Sequence, residues 1–299
     1  MWKFVQISDP HFAAQTDGCG NNLLIHSKMP EIVACLRRDL QALNPDFLLV
    51  TGDLAAYESR DAVYAARDML DSLGVRYYPI GGNQDFQGPR ARAWFIEAYH
   101  DHLPTPDTVY SFTHQNLHVA VLDPWWRWDD GSLCPHREDA RPVYRWSIPP
   151  HQFEWLREDL ALNPVTPTVV ALHYPVVPLP GRLKWDRMLE PESLENGQIL
   201  REFLAKFPQV IAVMAGHAHM HYAVQDSHLV HVVTGALAEY PVEYRVIEVH
   251  NDRLEIATTG LSDETFAAHS LTPSGGGAAG HECDRSLVIP FRESTALTA

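Results

Sequence analysis

Five apolar, strand-like stretches of this chain each stop at a turn that carries ligands for a hard cation, and that recurrence limits the folds open to it. The turns are Asp9-Pro10-His11, Gly52-Asp53, Gly82-Asn83-Gln84-Asp85, His173 and Gly216-His217-Ala218-His219. Open α/β sheets bind ligands at the carboxyl edge of their strands, where loops hold polar groups outside the core. Gly52, Gly81, Gly82 and Gly216 permit tight turns that aim side chains back at a common point. The turns supply seven candidate ligands: Asp9, His11, Asp53, Asn83, His173, His217 and His219. Two divalent ions need about that many protein ligands, plus water. Asp9 and His11 lie two residues apart, so in an extended segment they point the same way and chelate one ion. Asp53 has two oxygens and can bridge a pair of ions.

The rest of the pattern alternates strands and helices. Residues 3–8, 46–51, 75–80, 118–122, 168–172 and 210–214 read as strands. Residues 30–43, 59–73, 89–100, 150–162 and 194–207 read as helices, the first opened by Pro30 and ended by Asn44-Pro45. Periodicity alone predicts an α/β fold, with no internal repeat. A chain of 299 residues, 45% hydrophobic, can bury one large core.

Composition excludes several classes. No apolar run approaches the ~18 residues of a membrane span, and no signal peptide is expected at the amino terminus. Cys19, Cys35, Cys134 and Cys283 form no C-x-x-C pair, so free thiols in a reducing cytoplasm are expected. With 38 acidic and 23 basic residues and a net charge of −15, the chain shows no cationic face for polymeric nucleic acid. A small phosphate substrate remains compatible, because bound metals dominate the local field. Of the 17 histidines, His118 and His231 lie inside strand-like runs and read as hydrogen-bonded sheet residues.

Taken in order, the motifs D-x-H, GD, GN-x-D, a lone His and GH-x-H resemble the calcineurin-like metallophosphoesterases over residues 9–219. The look is nearest the bacterial branch holding class III cyclic nucleotide phosphodiesterases and glycerophosphodiesterases. The resemblance implies a four-layer α-β-β-α sandwich of two mixed sheets flanked by helices. It implies Asp9, His11, Asp53 and His219 around one ion, and Asp53, Asn83, His173 and His217 around the other. The ions would be Mn, Fe, Zn or Co. A hydroxide bridging them beside Asp53 would attack phosphorus in line, while the ions and Asn83 hold the phosphoryl oxygens. One position departs from the family. Gln84 stands where relatives place a catalytic histidine, with its acidic partner, Asp85, still present. An amide donates a hydrogen bond but cannot deliver a proton. Three explanations stand: a leaving group that needs no proton, a substitute histidine such as His26 or His221, or slow turnover.

Substrate choice falls to loops near the same edge. Residues 12–28 form a polar loop after the first ligands. Residues 124–146 hold Trp125, Trp126, Trp128 and Trp146 with Arg127, Arg137, Arg141 and Arg145. They read equally as a substrate surface, with Trp125, Trp126 and Arg127 foremost, or as packing on the body or on another subunit. Residues 175–191 form a second long loop, with Arg182 and Lys184 as possible phosphate contacts. Beyond His219, four short strands are expected to complete the second sheet. Residues 1–260 read as the phosphoesterase domain. Residues 261–299 read as an extension, flexible over 272–280, that packs on the same domain or on a partner subunit in a homo-oligomer. The expected activity is hydrolysis of phosphodiesters, including cyclic nucleotides or small diesters. Pyrophosphatase or phosphomonoesterase activity is the near alternative, and a non-catalytic metal-binding scaffold is the alternative of another class.

Overall fold

A computed structural model describes residues 1–137, 144–186, 188–189 and 191–292. Its centre is two six-stranded sheets packed face to face. In the first sheet the order is Ser286–Pro290, Arg253–Gly260, Glu243–Val249, Trp2–Ile7, Phe47–Thr51, Tyr77–Ile80. The last three run parallel and the others antiparallel. In the second sheet the order is Tyr222–Asp226, Leu229–Val233, Val210–Ala215, Thr168–Ala171, Leu117–Val121, Tyr110–His114. Its four central strands are parallel and its two edges antiparallel.

The central strands are buried on both faces, which is why they read as unbroken apolar runs. Val119 and Val121 face the first sheet, whereas Ala120 and Leu122 face a separate helical layer. Val169 and Ala171 alternate with Val170 and Leu172 in the same way. Helices Met29–Leu43, Arg60–Asp71 and Ala91–Ala98 cover the outer face of the first sheet. Helices Pro150–Leu162 and Gly197–Leu204 cover that of the second. The result is the four-layer arrangement. Ser59 caps the second helix by accepting from the Ala62 amide at 3.0 Å.

The strands beyond His219 divide between the sheets, against the expectation that all would join the second. Tyr222–Asp226 and Leu229–Val233 extend the second sheet, but Glu243–Val249 returns to pair with Trp2–Ile7 in the first. Arg245 lies at that crossing, fully buried. It donates to Thr234 Oγ1 at 3.1 Å, Thr258 Oγ1 at 2.9 Å, and the carbonyls of Val233 at 3.0 Å and Asp284 at 2.8 Å. Four acceptors satisfy a guanidinium whose burial lowers its pKa to about 9.

Residues 272–280 are folded, not a flexible linker. They include a 3₁₀ turn at Gly275–Ala279, followed by the short helix Glu282–Arg285. The Gly275 carbonyl accepts from Asn22 Nδ2 at 3.1 Å, and Arg182 forks onto Asp284 at 2.6 and 2.8 Å. Ser286–Pro290 then closes the edge of the first sheet within the same chain. Among the described residues no helix is long and apolar enough to cross a membrane, and all four cysteines are unpaired.

His118 is satisfied as expected, by Thr113 Oγ1 and Asp159 Oδ2, both at 2.8 Å. His231 is not: it is 1% exposed and neither ring nitrogen has a hydrogen-bond partner among the described residues. Burial lowers its pKa from the ordinary 6.5 to about 4. Its neutral form therefore supports the fold above pH 6.5, and that contribution is lost as pH falls from 6.5 toward 4. We predict that His231→Leu flattens the loss of stability across this window by up to about 3 kcal/mol in denaturant melts. An unchanged slope would mean that the ring does not pay for charging in the fold.

Candidate metal centre

The parallel strands of both sheets deliver their carboxyl ends to one seam. Asp9 follows Trp2–Ile7, Asp53 follows Phe47–Thr51 and Asn83 follows Tyr77–Ile80 in the first sheet. His173 follows Thr168–Ala171 and His217 follows Val210–Ala215 in the second. The seam is stitched by Gln6 Nε2 donating to the Ala215 carbonyl at 3.1 Å and by the Leu237 amide donating to the Ser8 carbonyl at 2.9 Å.

Five of the seven predicted ligands adopt left-handed backbone: Asp9, His11, Asp53, His217 and His219, with φ of 48°, 46°, 47°, 65° and 53°. Residues 9–11 are therefore not extended, and it is two left-handed kinks that turn Asp9 and His11 inward. Such conformations are costly for residues with a Cβ and persist where the surroundings over-determine them. Here they do: the Asp9 amide donates to Gly52 O at 3.1 Å and the His11 amide to Asp53 O at 3.0 Å. Gly52, with φ of 93°, is required by space as well, since a Cβ there would lie 2.0 Å from His173 Nδ1.

The seven side chains converge in two groups. Asp9, His11 and His219 bring their ligand atoms within 4.8 Å of one another, as do Asp53, His173 and His217. His11 Nε2 and His219 Nε2 face each other at 3.1 Å, and Asp9 Oδ1 lies 3.5 Å from His219 Nε2. Asn83 Oδ1 joins the second group at 3.1 Å from His173 Nε2, and His217 Nδ1 lies 3.3 Å from the same atom. Asp53 spans the groups, with Oδ1 3.5 Å from His173 and Oδ2 3.8 Å from His11.

Hydrogen bonds behind the ligands fix which atoms point inward. His173 Nδ1 donates to the Thr51 carbonyl at 2.9 Å, leaving Nε2 for a ligand. His219 Nδ1 pairs with Glu239 Oε2 at 2.7 Å. Asp9 Oδ2 accepts from Ser8 Oγ at 2.5 Å and from the His217 amide at 3.0 Å. Its Oδ1 is buried without a hydrogen-bond partner among the described residues. An orphaned carboxylate oxygen beside two imidazole nitrogens 3.1 Å apart calls for a cation, so the donor set fits two metal ions.

Titration reflects the same field. Burial lowers His11 to about 4 and His217 to about 3. Burial also works against charge on His173 and His219, but their carboxylate neighbours win and lift them to about 9 and about 10. The carboxylates attract positive charge wherever a nitrogen lies close, and a divalent ion answers that attraction with more charge than a proton.

Other predicted residues fall elsewhere. Asp85 does not pair with Gln84. It is 1% exposed, and its two oxygens accept from the amides of Ala55 at 2.9 Å, Gly82 at 2.9 Å and Leu54 at 3.0 Å. These contacts make it a backbone anchor for the GD and GN turns. Gln84 lies at the centre, where its amide donates to Asp53 Oδ1 at 2.8 Å, and its side-chain oxygen accepts from Gln87 Nε2 at 2.7 Å. His26 sits edge-on to His11, ring centroids 6.1 Å apart. His221 is fully buried and accepts from the Gly235 amide at 3.1 Å, so it cannot stand in as the acid.

The tryptophan loop packs. Trp126 is 4% exposed within the core beside Trp128 and Trp146, Trp125 lies against His151, and Arg127 is paired with Glu195. Trp126 is thus engaged in the core, whereas Trp125 and Arg127 are half-buried at its edge. Arg141 lies outside the described residues. Trp146 reaches a ligand, edge-on to His217 with centroids 5.5 Å apart. Arg182 is held by Asp284 and the Ala223 carbonyl.

The cleft beside the ligands measures about 320 Å³ and is lined by Gly20, Asn21, Leu189, Pro191, Glu192 and Glu239 together with His217 and His219. Its walls are the two long loops expected to set substrate choice. They clasp where Asn21 Oδ1 accepts from the Leu189 amide at 2.8 Å. Burial raises the Glu192 carboxyl pKa, against the nearby Arg145. Sequence reasoning missed Glu239, although the signal was present: residues 229–234 form an apolar run followed by Gly235 and, four residues on, a carboxylate.

Comparison with known proteins agrees with this geometry. Residues 3–221 match the family model described as Calcineurin-like phosphoesterase. The chain is 26% identical over 219 residues to the 3',5'-cyclic adenosine monophosphate phosphodiesterase CpdA of Haemophilus influenzae, covering 73% of this chain and 69% of that one. It is 26% identical over 215 residues to the glycerophosphodiester phosphodiesterase GpdQ of Enterobacter lignolyticus, covering 71% and 69%. A crystal structure of a dimetal phosphatase from Danio rerio superposes with a TM-score of 0.69 at 17% identity, covering 97% of this chain and 99% of that one.

Asp85→Ala is expected to strand three buried amides and to cost about 3 kcal/mol of stability in urea melts. A variant as stable as the parent would overturn this anchoring role.

Proposed function

The chain belongs to the calcineurin-like phosphoesterases and is a metal-dependent phosphoesterase, and from that premise we propose that it hydrolyses small phosphodiesters. The observation that carries this reading is the pair of ligand groups spanned by Asp53. Two divalent ions bound there would polarise a phosphoryl group and make a water nucleophilic near neutral pH.

The protein's own residues have separable tasks. Asp53 is held in orientation by the Gln84 amide, a contact indifferent to the side chain at that position. Asn83 presents a neutral oxygen beside His173 and an amide that can donate to a phosphoryl oxygen. Gln84 keeps its NH₂ group as a donor, because its oxygen is occupied by Gln87. It can steady an oxyanion but transfers no proton. The clasped cleft of about 320 Å³ favours a small diester over a polymer. The relatives named for cyclic nucleotide and glycerophosphodiester substrates support the diester class. Hydrolysis of an anhydride or a monoester is the second reading, and the lack of an acid at residue 84 favours the anhydride, whose acidic leaving group needs no proton.

The deciding experiment is a panel of bis-nitrophenyl phosphate, nitrophenyl phosphate, a cyclic nucleotide, a glycerophosphodiester and a nucleotide anhydride, assayed with added Mn. Diesters should lead, and a preference for monoesters or anhydrides would overturn the reading. Gln84→His should speed hydrolysis of alkyl esters by about 10–100-fold, part of the usual gain from general acid help, and nitrophenyl esters by less. Equal acceleration of both would show that leaving-group protonation is not what the glutamine lacks.

A further inference from the structure

The histidine at the open side of the centre is held by residues far beyond the last ligand. Glu239 is fully buried, and both of its oxygens are used. Oε2 pairs with His219 Nδ1 at 2.7 Å, and Oε1 accepts from the Asn22 amide. Asn22 is also fully buried, and its side chain is gripped from the carboxyl-terminal segment. Its Oδ1 accepts from the Thr272 amide at 2.9 Å, and its Nδ2 donates to Gly275 O at 3.1 Å. Ser270 holds the same unit from the other side. Its hydroxyl donates to Leu23 O at 2.6 Å and accepts from the Tyr240 amide at 2.7 Å, beside both Asn22 and Glu239.

We propose that Glu239 is a positioning residue that fixes His219 Nε2 as a metal ligand, and that residues 270–275 hold Glu239 in place through Asn22. The chain beyond His219 thereby sets the affinity of the metal position formed by Asp9, His11 and His219. This rests on the dinuclear reading of the centre. The chemistry explains why a carboxylate stands at 239. Two N–H donors approach its two different oxygens, and an amide has only one acceptor. Glutamine would turn an NH₂ group toward one of these donors, freeing either His219 or the loop at Asn22. A carboxylate on the far nitrogen also makes an imidazole a stronger donor to a cation. The fit around Asn22 is close: a Cβ on Gly275 would lie 1.8 Å from Asn22 Oδ1, whereas one on Gly276 would meet nothing within 4 Å.

The test titrates metal-free, full-length protein with Mn(II), following calorimetry and the electron paramagnetic resonance signal of coupled Mn pairs. Wild type should take two ions. Glu239→Gln should weaken one ion by about 10–100-fold, the usual cost of losing a partner of a ligating histidine, and leave the other within a few fold. The coupled-pair signal should then give way to that of a single ion at limiting metal. Gly275→Ala should weaken the same ion, and Gly276→Ala should not. If Gly275→Ala does not fold, Asn22→Asp replaces it, because its second oxygen would face the Gly275 carbonyl. Unchanged affinities in Glu239→Gln would overturn the positioning role. Equal affinities in the two alanine variants, or an unchanged Asn22→Asp, would overturn the role of the carboxyl-terminal segment. A wild type that takes fewer than two ions would instead count against the dinuclear reading itself.

Discussion

Everything at the centre follows from burying two carboxylates where two sheets meet. Asp9 is fully buried and Asp53 is 3% exposed. Charged oxygens in such a place must be met by hydrogen bonds and positive charge, or the fold pays several kcal/mol for each. The protein supplies only part of that compensation. One amide and one hydroxyl satisfy Asp9 Oδ2, but Oδ1 has no hydrogen-bond partner among the described residues. Protons on His173 and His219 supply more, which is why those two rings titrate so high. Paired cations would complete it, so stability and metal binding are linked here.

The same demand shapes the backbone. Five ligands in left-handed conformation are affordable only because the strands behind them are rigid and their turns are tied to neighbouring carbonyls. Asp85 ties the Asp53 turn to the Asn83 turn with three amides. The seam hydrogen bonds from Gln6 and Leu237 hold the two strand edges at a fixed separation. Farther out, Arg245 joins strands of both sheets to the carboxyl-terminal segment, and that segment reaches back through Asn22 to Glu239 and His219. The centre is thus braced from both sheets and from the tail.

The motif residues were legible because each is a polar side chain, rich in lone pairs, placed directly after an apolar run, a pattern with few other uses. Asp9, Asp53, Asn83, His173 and His217 stand out in this way, and the helices stand out by their period. What was not legible was contact between segments distant in sequence. Trp126 and Arg127 looked like a substrate surface because a tryptophan-rich loop reads alike whether it faces a ligand or the core. In the fold Trp126 packs on Phe86 and Trp146, and Arg127 pairs with Glu195. Glu239 was overlooked because its partner, His219, lies twenty residues earlier, and only a turn between strands brings them to 2.7 Å.

The amino-acid sequence by itself determined the α/β alternation, the run of metal-ligand types and the absence of a proton donor at Gln84, because these depend on local periodicity and on side-chain chemistry. The tertiary structure decided which strands share a sheet, that Asp53 spans both ligand groups, and that Asp85 serves the backbone. It also decided that residues 272–280 are folded against the first loop. Those outcomes depend on which buried polar groups find partners across the chain, and burial is a property of the packed whole, not of any stretch of sequence.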